Sequence, residues 1–269
     1  MFPTIFHYIH TYGLMLAIAF LVGIGWVSRE GKRQNIPPDK VMDLGLWVLF
    51  ASVIGSRIAY VLPHWNEFAA RPLSVIAVWE GGLTFYGGVL LAVPVGFLFM
   101  WKNRLPIWRT SDLGAPAFAL GVFLGRVGCF LNGCCFGNPT GVPWGVTFPE
   151  NCPAGYQFGD VARLHPTQVY EALAGLAILG ILLLVRRKKP FEGAVFWTFV
   201  LLYGAWRFLS DSWRYYDPQS TLLWSRMDIP ESRVASLALV ALSVVFLVIL
   251  SAQARRRMPN STVLKGEGQ

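Results

Sequence analysis

Two arginines at the edges of apolar segments are the residues of this sequence whose position most strongly suggests chemistry. Arg126 lies in GRVGCFLNGCCFG, and Arg207 and Asp211 lie near the end of another apolar run. An arginine within a membrane costs about 2.5–3.5 kcal/mol, so it usually has a partner or lines a cavity. One interpretation is an anionic ligand such as a phospholipid phosphate, which suits a guanidinium fork. The alternatives are snorkelling of Arg126 and a simple ion pair between Arg207 and Asp211.

A second polar cluster begins the apolar run that contains RLHPTQVYEALAG. Gln168 and Glu171 are three residues apart, so they share one face of a helix. Both are predicted just inside the same membrane boundary as Arg126 and Arg207. The pattern favours a cavity lining, although a glutamate that only caps the first turn is the simpler alternative.

The stretch WEGGLTFYGGVLL places two glycine pairs around Tyr86. Glycine permits turns and the close approach of helices, so packing alone would explain these pairs. The functional alternative is a loop that lets the tyrosine ring and backbone amides reach a lipid headgroup.

The elements that must position these residues are transmembrane helices. The chain is 54% hydrophobic and 14% charged, whereas soluble domains are about 25% charged. Seven apolar segments approach the length of about 20 residues that a helix needs to cross a bilayer. We therefore predict an all-α integral membrane protein with helices at 12–28, 41–62, 83–101, 113–131, 166–185, 193–211 and 231–253.

Basic residues follow the first, third, fifth and seventh predicted spans, for example at Arg29, Lys102, Arg186 and Arg255. The positive-inside rule therefore predicts an external N-terminus and a cytoplasmic C-terminus. Topology and anionic lipid explain the net charge of +8 better than nucleic acid does. The rule leaves these arginines unexplained: Arg57, Arg71, Arg126, Arg163, Arg207, Arg214, Arg226 and Arg233.

A single transmembrane domain is predicted over 1–257, followed by a disordered cytoplasmic tail at 258–269. The segment 132–165 is rich in Gly and Pro and is predicted to form a small, irregular periplasmic head. The outer stretches 63–82 and 212–230 have an interfacial character. The first apolar run has no basic region before it, so we expect a retained span rather than a cleaved signal.

The four cysteines are Cys129, Cys134, Cys135 and Cys152, all predicted at or outside the outer boundary. A disulfide between Cys152 and either Cys134 or Cys135 is one hypothesis, because that compartment oxidises thiols in many bacteria. The others are zinc held by three cysteines and His165, ordinary buried residues, and a covalent cysteine nucleophile.

The order of YGLMLAIAFLVG, FYGGV, GRVGCFLNG, HPTQVYE and YGAWRFLSDSWR among seven spans resembles bacterial prolipoprotein diacylglyceryl transferases. The resemblance covers almost the whole chain. It implies transfer of a diacylglyceryl group from phosphatidylglycerol to the lipobox cysteine thiol of a secreted preprolipoprotein, with release of glycerol phosphate. It also implies an enzyme of the bacterial inner membrane that needs no cofactor or metal, and we expect a monomer.

The resemblance further implies roles for individual residues. Arg126 and Arg207 would hold the phosphate of the lipid, and Asp211 stands where the family usually has glutamate. The residues implied to shape the loop or bind substrate are Tyr12, Asn132, Gly137, Gln168, Tyr170 and Glu171.

Three positions depart from the family pattern. Cys129 replaces an asparagine, Cys134 replaces a glutamate, and Tyr86 replaces a histidine. Tyrosine is a poor base at neutral pH, so His165 is the first substitute candidate for the general base, with Tyr86 kept as a catalytic candidate.

These departures keep open a paralogous membrane transferase that moves a glyceryl or headgroup moiety to a different acceptor. A seven-helix transporter is disfavoured, because a transporter should open to both sides of the membrane. The unexplained charges of this chain instead gather toward one face.

Overall fold

Helices dominate the computed structural model, which describes residues 4–5, 9–69, 71–216 and 231–257. Two short strands, β1 (Thr4–Ile5) and β2 (Ile9–His10), pair antiparallel ahead of the first helix. The helices are α1 (Thr11–Arg33), α2 (Pro38–Val61), α3 (Trp65–Ala69), α4 (Phe85–Lys102), α5 (Ile107–Asn132), α6 (Pro153–Phe158), α7 (Thr167–Lys188), α8 (Ala194–Ser210) and α9 (Glu231–Arg257). Two 3₁₀ turns, Pro72–Ile76 and Val78–Glu80, lie between α3 and α4. The predicted all-α fold class is confirmed.

Within the described residues, six helices have the length and apolar composition to cross a membrane. They are α1, α2, α4, α5, α7 and most of α9. Helix α8 is apolar but shorter, with 17 residues. These seven helices coincide with the seven predicted spans, so the protein is a multi-pass membrane protein.

Several helices extend beyond their predicted apolar limits. Helices α1, α7 and α9 continue through Arg33, Lys188 and Arg257, because lysine and arginine are good helix formers whose long stems keep the charge in water. Helix α5 begins early, at Ile107, and thereby includes Asp112. The Asp112 carboxylate accepts backbone hydrogen bonds from Gly193 at 2.8 Å and Phe196 at 2.9 Å, which satisfies amides at the start of α8.

The chain forms two compact units. One comprises Met1–Gly23 and Ser111–Gln269, and the other comprises Ile24–Thr110. Of the sequence predictions, the 258–269 tail, Arg226 and the part of the interfacial stretch at 217–230 lie outside the described residues. The single-domain assignment stays a prediction.

In the unit Ile24–Thr110, α2 packs against α4 through glycines. A Cβ atom on Gly55 would lie 2.4 Å from the carbonyl oxygen of Gly87, and one on Gly88 would lie 2.5 Å from Ser56 Oγ. Only residues without a side chain allow this approach. The packing interpretation of the glycine pair after Tyr86 is therefore confirmed.

Arg57, one of the unexplained arginines, also lies in this unit and has a structural role. Its guanidinium is buried and donates to the carbonyl oxygens of Ser74, Val75 at 2.8 Å, Gly81 at 2.5 Å and Gly82 at 3.1 Å. These bonds fix the connection between α3 and α4 to α2 and satisfy carbonyls that lie outside regular helices.

In the other unit, α8 packs against both α7 and α9. A Cβ on Gly175 would lie 3.1 Å from Phe123 N, so α7 also lies close to α5. The core between these helices is formed by Ala115, Ala119, Ile178, Leu182 and Val195. This packing brings together the ends of α5, α7 and α8 that carry the predicted site residues.

The segment between α5 and α7, where the irregular head was predicted, has a hydrophobic cluster of its own. The cluster consists of Phe136, Phe148, Cys152, Ala154 and Leu164. Leu164 forms isolated bridges with Pro139 and Val146. The ring of Tyr215 stacks on Phe136 with a centroid distance of 5.7 Å, which anchors the segment after α8 to the same cluster.

Candidate active site

A buried carboxylate at the start of α7 lies at the centre of the site. Glu171, whose side chain is 2% exposed, contacts three arginines. Its Oε1 accepts hydrogen bonds from Arg207 Nη1 at 2.8 Å and Arg214 Nη1 at 3.2 Å. Its Oε2 lies 2.6 Å from Arg126 Nε, an ion pair that lacks hydrogen-bond alignment. We call Arg126, Arg207 and Arg214 the arginine cluster.

A second buried carboxylate holds Arg207 from the other side. Asp211 Oδ1 lies 3.1 Å from Arg207 Nη2, so the predicted pair between these residues forms. It belongs to a larger network, because the Tyr216 hydroxyl accepts from Arg207 Nη2 at 2.7 Å and donates to Asp211 Oδ1. Ser232 Oγ donates to Asp211 Oδ2. Burial raises the pKa of Tyr216 to about 12, which keeps its hydroxyl protonated as a donor at neutral pH.

In the described residues the arginine cluster carries more positive charge than its carboxylate partners carry negative charge. Three guanidinium groups face Glu171 and Asp211, which leaves one positive charge in excess. The arginine side chains are 15–17% exposed, whereas the carboxylates are at most 2% exposed. The cations thus lie on the accessible side, and Arg126 has a partner in another helix, which favours a site over simple snorkelling.

The loop after α5 is fixed by side chains of α7. Gln168 Nε2 donates to the Cys134 carbonyl at 2.7 Å, and Thr167 Oγ1 donates to the Cys135 carbonyl at 2.9 Å. Gln168 was predicted to line a cavity, and its side chain is fully buried against this loop. The Cys134 carbonyl satisfies its Nε2, whereas its Oε1 has no hydrogen-bond partner in the described residues. A role of Gln168 in substrate binding stays a prediction. Asn132, the last residue of α5, lies beside Cys134, and its role in shaping the loop stays a prediction.

Gly137 allows this loop to approach the segment that carries Arg214. Its amide donates to the His165 carbonyl at 2.9 Å, and it forms an isolated antiparallel bridge with Arg214. A Cβ at position 137 would lie 2.4 Å from the Trp213 carbonyl oxygen. Glycine is therefore required here by the close approach of two backbones.

Three of the four cysteines gather beside the arginine cluster. The sulfur atoms of Cys129, Cys134 and Cys135 all lie within 4.8 Å of one another. Hydrogen bonds from the other two thiols lower the pKa of the Cys135 thiol, and the charges of Arg214 and Arg126 lower it further.

Cys152 lies apart from this group in the hydrophobic cluster of the head, where its thiol donates to the Pro149 carbonyl at 3.1 Å. All four cysteines are free, so this structure does not contain the disulfide hypothesised for Cys152. The sulfur of Cys152 packs against Gly133, where a Cβ would lie 2.5 Å from it.

His165 and Tyr170 form a separate polar pair. His165 Nδ1 lies 3.2 Å from Tyr170 Oη, and Trp144 Nε1 donates to the same hydroxyl at 2.7 Å. The hypothesised zinc site included His165, but the potential metal-ligand group found in the described residues consists of the three cysteines. The imidazole instead contacts a phenol.

Two of the three predicted tyrosines, Tyr12 and Tyr86, lie in different units. Tyr12 is the second residue of α1, is 39% exposed, and lies beside α5, where a Cβ on Gly128 would be 3.4 Å from its ring. Tyr86 is the second residue of α4 in the unit Ile24–Thr110, and its ring contacts Phe85 at a centroid distance of 5.9 Å. The catalytic role of Tyr86 stays a prediction.

Comparison with known proteins decides the family. The family model described as prolipoprotein diacylglyceryl transferase matches residues 2–249. The chain belongs to the prolipoprotein diacylglyceryl transferase family.

Curated members of the family are similar over most of this chain. The phosphatidylglycerol–prolipoprotein diacylglyceryl transferase of Geobacter sulfurreducens is 37% identical over 79% of this chain and 80% of its own. The enzyme of that name from Solidesulfovibrio magneticus is 39% identical over 78% and 79%. The one from Idiomarina loihiensis is 32% identical over 96% and 94%.

Two of the departures from the family pattern lie together in the structure. Cys129 and Cys134 stand where the resemblance led us to expect asparagine and glutamate, and both belong to the group of three sulfurs. These two positions thus lie close together in the structure.

No role in the site was predicted for Arg214, Tyr216 or Ser232. The sequence did mark Arg214, which belongs to the unexplained arginines and follows Asp211 by three residues in the motif YGAWRFLSDSWR. Tyr216 lies in a polar stretch and Ser232 at one end of a predicted span, where polar residues are common.

Proposed function

We propose that this chain is a phosphatidylglycerol–prolipoprotein diacylglyceryl transferase. It transfers the diacylglyceryl group of phosphatidylglycerol to the lipobox cysteine thiol of a preprolipoprotein and releases glycerol phosphate. The observation that carries the proposal is the arginine cluster, three accessible guanidinium groups ordered around a buried glutamate. The family and the names of its curated members support the same activity.

The charge of the cluster suits the proposed lipid. Phosphatidylglycerol carries one negative charge on its phosphodiester, and the cluster has one positive charge in excess of its carboxylates. Guanidinium groups bind phosphate oxygens through paired hydrogen bonds, which fixes orientation as well as charge. In the proposal Arg126 and Arg207 hold the phosphate, and Arg214 extends the same surface.

The proposed reaction is a displacement at carbon. The thiolate sulfur attacks the glyceryl carbon next to the phosphate, a C–S bond forms, and the C–O bond breaks with its electron pair on the phosphate oxygen. Fixed cations in a water-poor site stabilise the charge that develops on this leaving group. Asp211 is a positioning residue in this scheme, since it contacts Arg207 rather than the reacting atoms.

The thiol must lose its proton before or during attack. We assign this role to His165, because histidine exchanges protons near neutral pH and its Nδ1 is oriented by Tyr170 at 3.2 Å. The remaining predicted site residues would shape the loop and the cavity. They are Tyr12, Tyr86, Asn132, Gly137, Gln168 and Tyr170.

The cellular setting is part of the proposal. We place the enzyme in the bacterial inner membrane with its N-terminus and the 132–165 head outside, where secreted preprolipoproteins would reach it. A monomer is expected to suffice, since the arginine cluster and its carboxylates come from one chain.

A transfer assay tests the activity directly. Purified protein is incubated with phosphatidylglycerol labelled in its acyl chains and a peptide containing a lipobox cysteine, and the thioether-linked peptide is measured by mass spectrometry. The matched control is the same peptide with serine in place of that cysteine. Labelled cysteine peptide alone supports the proposal, whereas lipid turnover without labelled peptide would indicate transfer to a different acceptor.

A further inference from the structure

The group of three thiols beside the arginine cluster has no role in the transfer reaction described above. Cys129 lies in the last turn of α5, and Cys134 and Cys135 lie in the loop that follows. Their sulfur atoms are within 4.8 Å of one another. We propose that these three thiols, the trithiol site, bind one divalent thiophilic metal ion of the zinc and cadmium class.

The sulfur positions are close to those that such an ion requires. Zinc–sulfur bonds are about 2.3 Å long, so three sulfurs around one ion lie about 4 Å apart. The observed separations of at most 4.8 Å need adjustments of less than about 1 Å, which side-chain rotation provides.

The backbone holds the three residues in place without a metal. The Cys134 amide donates to the Cys129 carbonyl at 3.1 Å, and α7 side chains bind the carbonyls of Cys134 and Cys135. Gly133 has a φ of 70° and Cys135 a φ of 62°. The left-handed conformation is unusual for cysteine, and here it turns the chain so that the third sulfur reaches the other two.

Ligand chemistry and charge select the class of ion. Thiolates favour soft or borderline cations such as Zn²⁺ and Cu⁺ over Mg²⁺ and Ca²⁺. Three thiolates around a divalent ion carry a net charge of −1, the smaller of the two charges to be accommodated in a partly buried site. A monovalent copper ion would leave a second negative charge, so the divalent class fits better.

Binding is an exchange of protons for a metal ion. Three S–H bonds break, three S–metal bonds form, and three protons leave to the solvent, with no change in oxidation state. The proposal does not depend on the transfer activity, because metal binding is measured on the protein itself.

The experiment uses the full chain, purified in detergent with a phosphine reductant and titrated with Cd²⁺. Sulfur-to-cadmium charge-transfer absorption should rise and saturate at one ion per chain. Separate Cys129→Ser, Cys134→Ser and Cys135→Ser variants should each weaken binding by about 100-fold or more, since each removes a ligand. Cys152→Ser is the matched control and should bind Cd²⁺ like the unmodified protein.

A second measurement does not rely on variants. Bound Cd²⁺ or Zn²⁺ should protect Cys129, Cys134 and Cys135 of the unmodified protein from alkylation by a maleimide, as read by peptide mass spectrometry, and leave Cys152 unchanged. Unaltered alkylation at saturating metal, or absorption that the Cys152→Ser change abolishes, would overturn the proposal. So would a disulfide between two of the three cysteines that persists under the reductant.

Discussion

Replacing Glu171 with glutamine tests whether one buried carboxylate orders the arginine cluster. Glutamine has nearly the same shape, so the change removes charge with little change in volume. Glu171 contacts Arg126, Arg207 and Arg214 at 2.6, 2.8 and 3.2 Å, and its side chain is 2% exposed. After the substitution Arg207 retains its contact with Asp211, whereas Arg126 and Arg214 lose the carboxylate they contact in the described residues.

The expected loss of stability is large for a single substitution. Removing one partner of a buried ion pair costs about 3–5 kcal/mol, because the other charge stays buried and uncompensated. The arginine side chains are 15–17% exposed, so their charges are not completely buried and we expect the lower limit, about 3 kcal/mol. For a chain of this length, that corresponds to a fall of about 6–12 °C in melting temperature.

The assay is thermal unfolding of the purified variant in one detergent, followed by tryptophan fluorescence. Glu192→Gln is the matched control, because Glu192 is exposed and does not belong to the carboxylates of the arginine cluster. Substitutions of exposed residues change stability by about 0.5 kcal/mol or less, so this control should melt within about 2 °C of the unmodified protein. Equal melting temperatures for the two variants would refute the central role of Glu171.

Three further substitutions test other parts of the site. Arg126→Lys should lower kcat/KM by more than about 10-fold, because lysine keeps the charge but loses the planar fork; Arg163→Lys is the control and should stay near unmodified activity. Gly137→Ala should destabilise the protein by about 1–3 kcal/mol through backbone overlap, whereas Gly141→Ala, with no atom within 4 Å of its new Cβ, should leave the melting temperature unchanged. The raised pKa of Tyr216, about 12, implies stability that is present below about pH 10 and lost as pH rises through 12. The stability difference between the unmodified protein and Tyr216→Phe should shrink across that interval, and a constant difference would contradict the assignment.

The transmembrane helices could be predicted because their signal is local. Each apolar segment carries its own evidence, since a helix must be about 20 residues long to cross a bilayer. Helix limits were less predictable, as α5 shows. Asp112 marks the apparent end of an apolar run, but its carboxylate binds amides at Gly193 and Phe196, and this contact between distant residues leaves no trace in a hydropathy pattern.

The site was predictable only in part for the same reason. Arg126 and Arg207 stand out because a charge beside an apolar run needs an explanation. Glu171 was also predicted to belong to the site, as a residue that lines a cavity and binds substrate. Its contact with both arginines was not predicted, because Glu171 lies in a different helix, α7. Arg214 and Tyr216 follow the end of α8 and lie in a polar context, where neither residue type is unusual.

The cysteines illustrate a limit set by backbone geometry. The sequence provides four thiols and cannot choose among their pairings. The choice depends on the turn after α5, in which Gly133 and Cys135 have positive φ angles. Cysteine rarely adopts the left-handed backbone conformation, so a turn of this kind at Cys135 is not predicted from the sequence. That conformation nevertheless accompanies the grouping of Cys135 with Cys129 and Cys134 and the separation of Cys152.

A negative carboxylate lies at the centre of a site that is proposed to bind a negative phosphate, and the repulsion between the arginines gives a physical reason for it. Arg207 and Arg214 share Glu171 Oε1, so their bonding nitrogens are at most about 6 Å apart and repel by about 3 kcal/mol at an effective dielectric constant of 20. Without the carboxylate the guanidinium groups would move apart, and binding of the lipid would have to bring them together again. Because Glu171 orders them in advance, they require little rearrangement when charge develops on the leaving group. Glu171→Gln should therefore lower kcat more than it raises KM, and a pure KM effect would show that the carboxylate only tunes lipid binding.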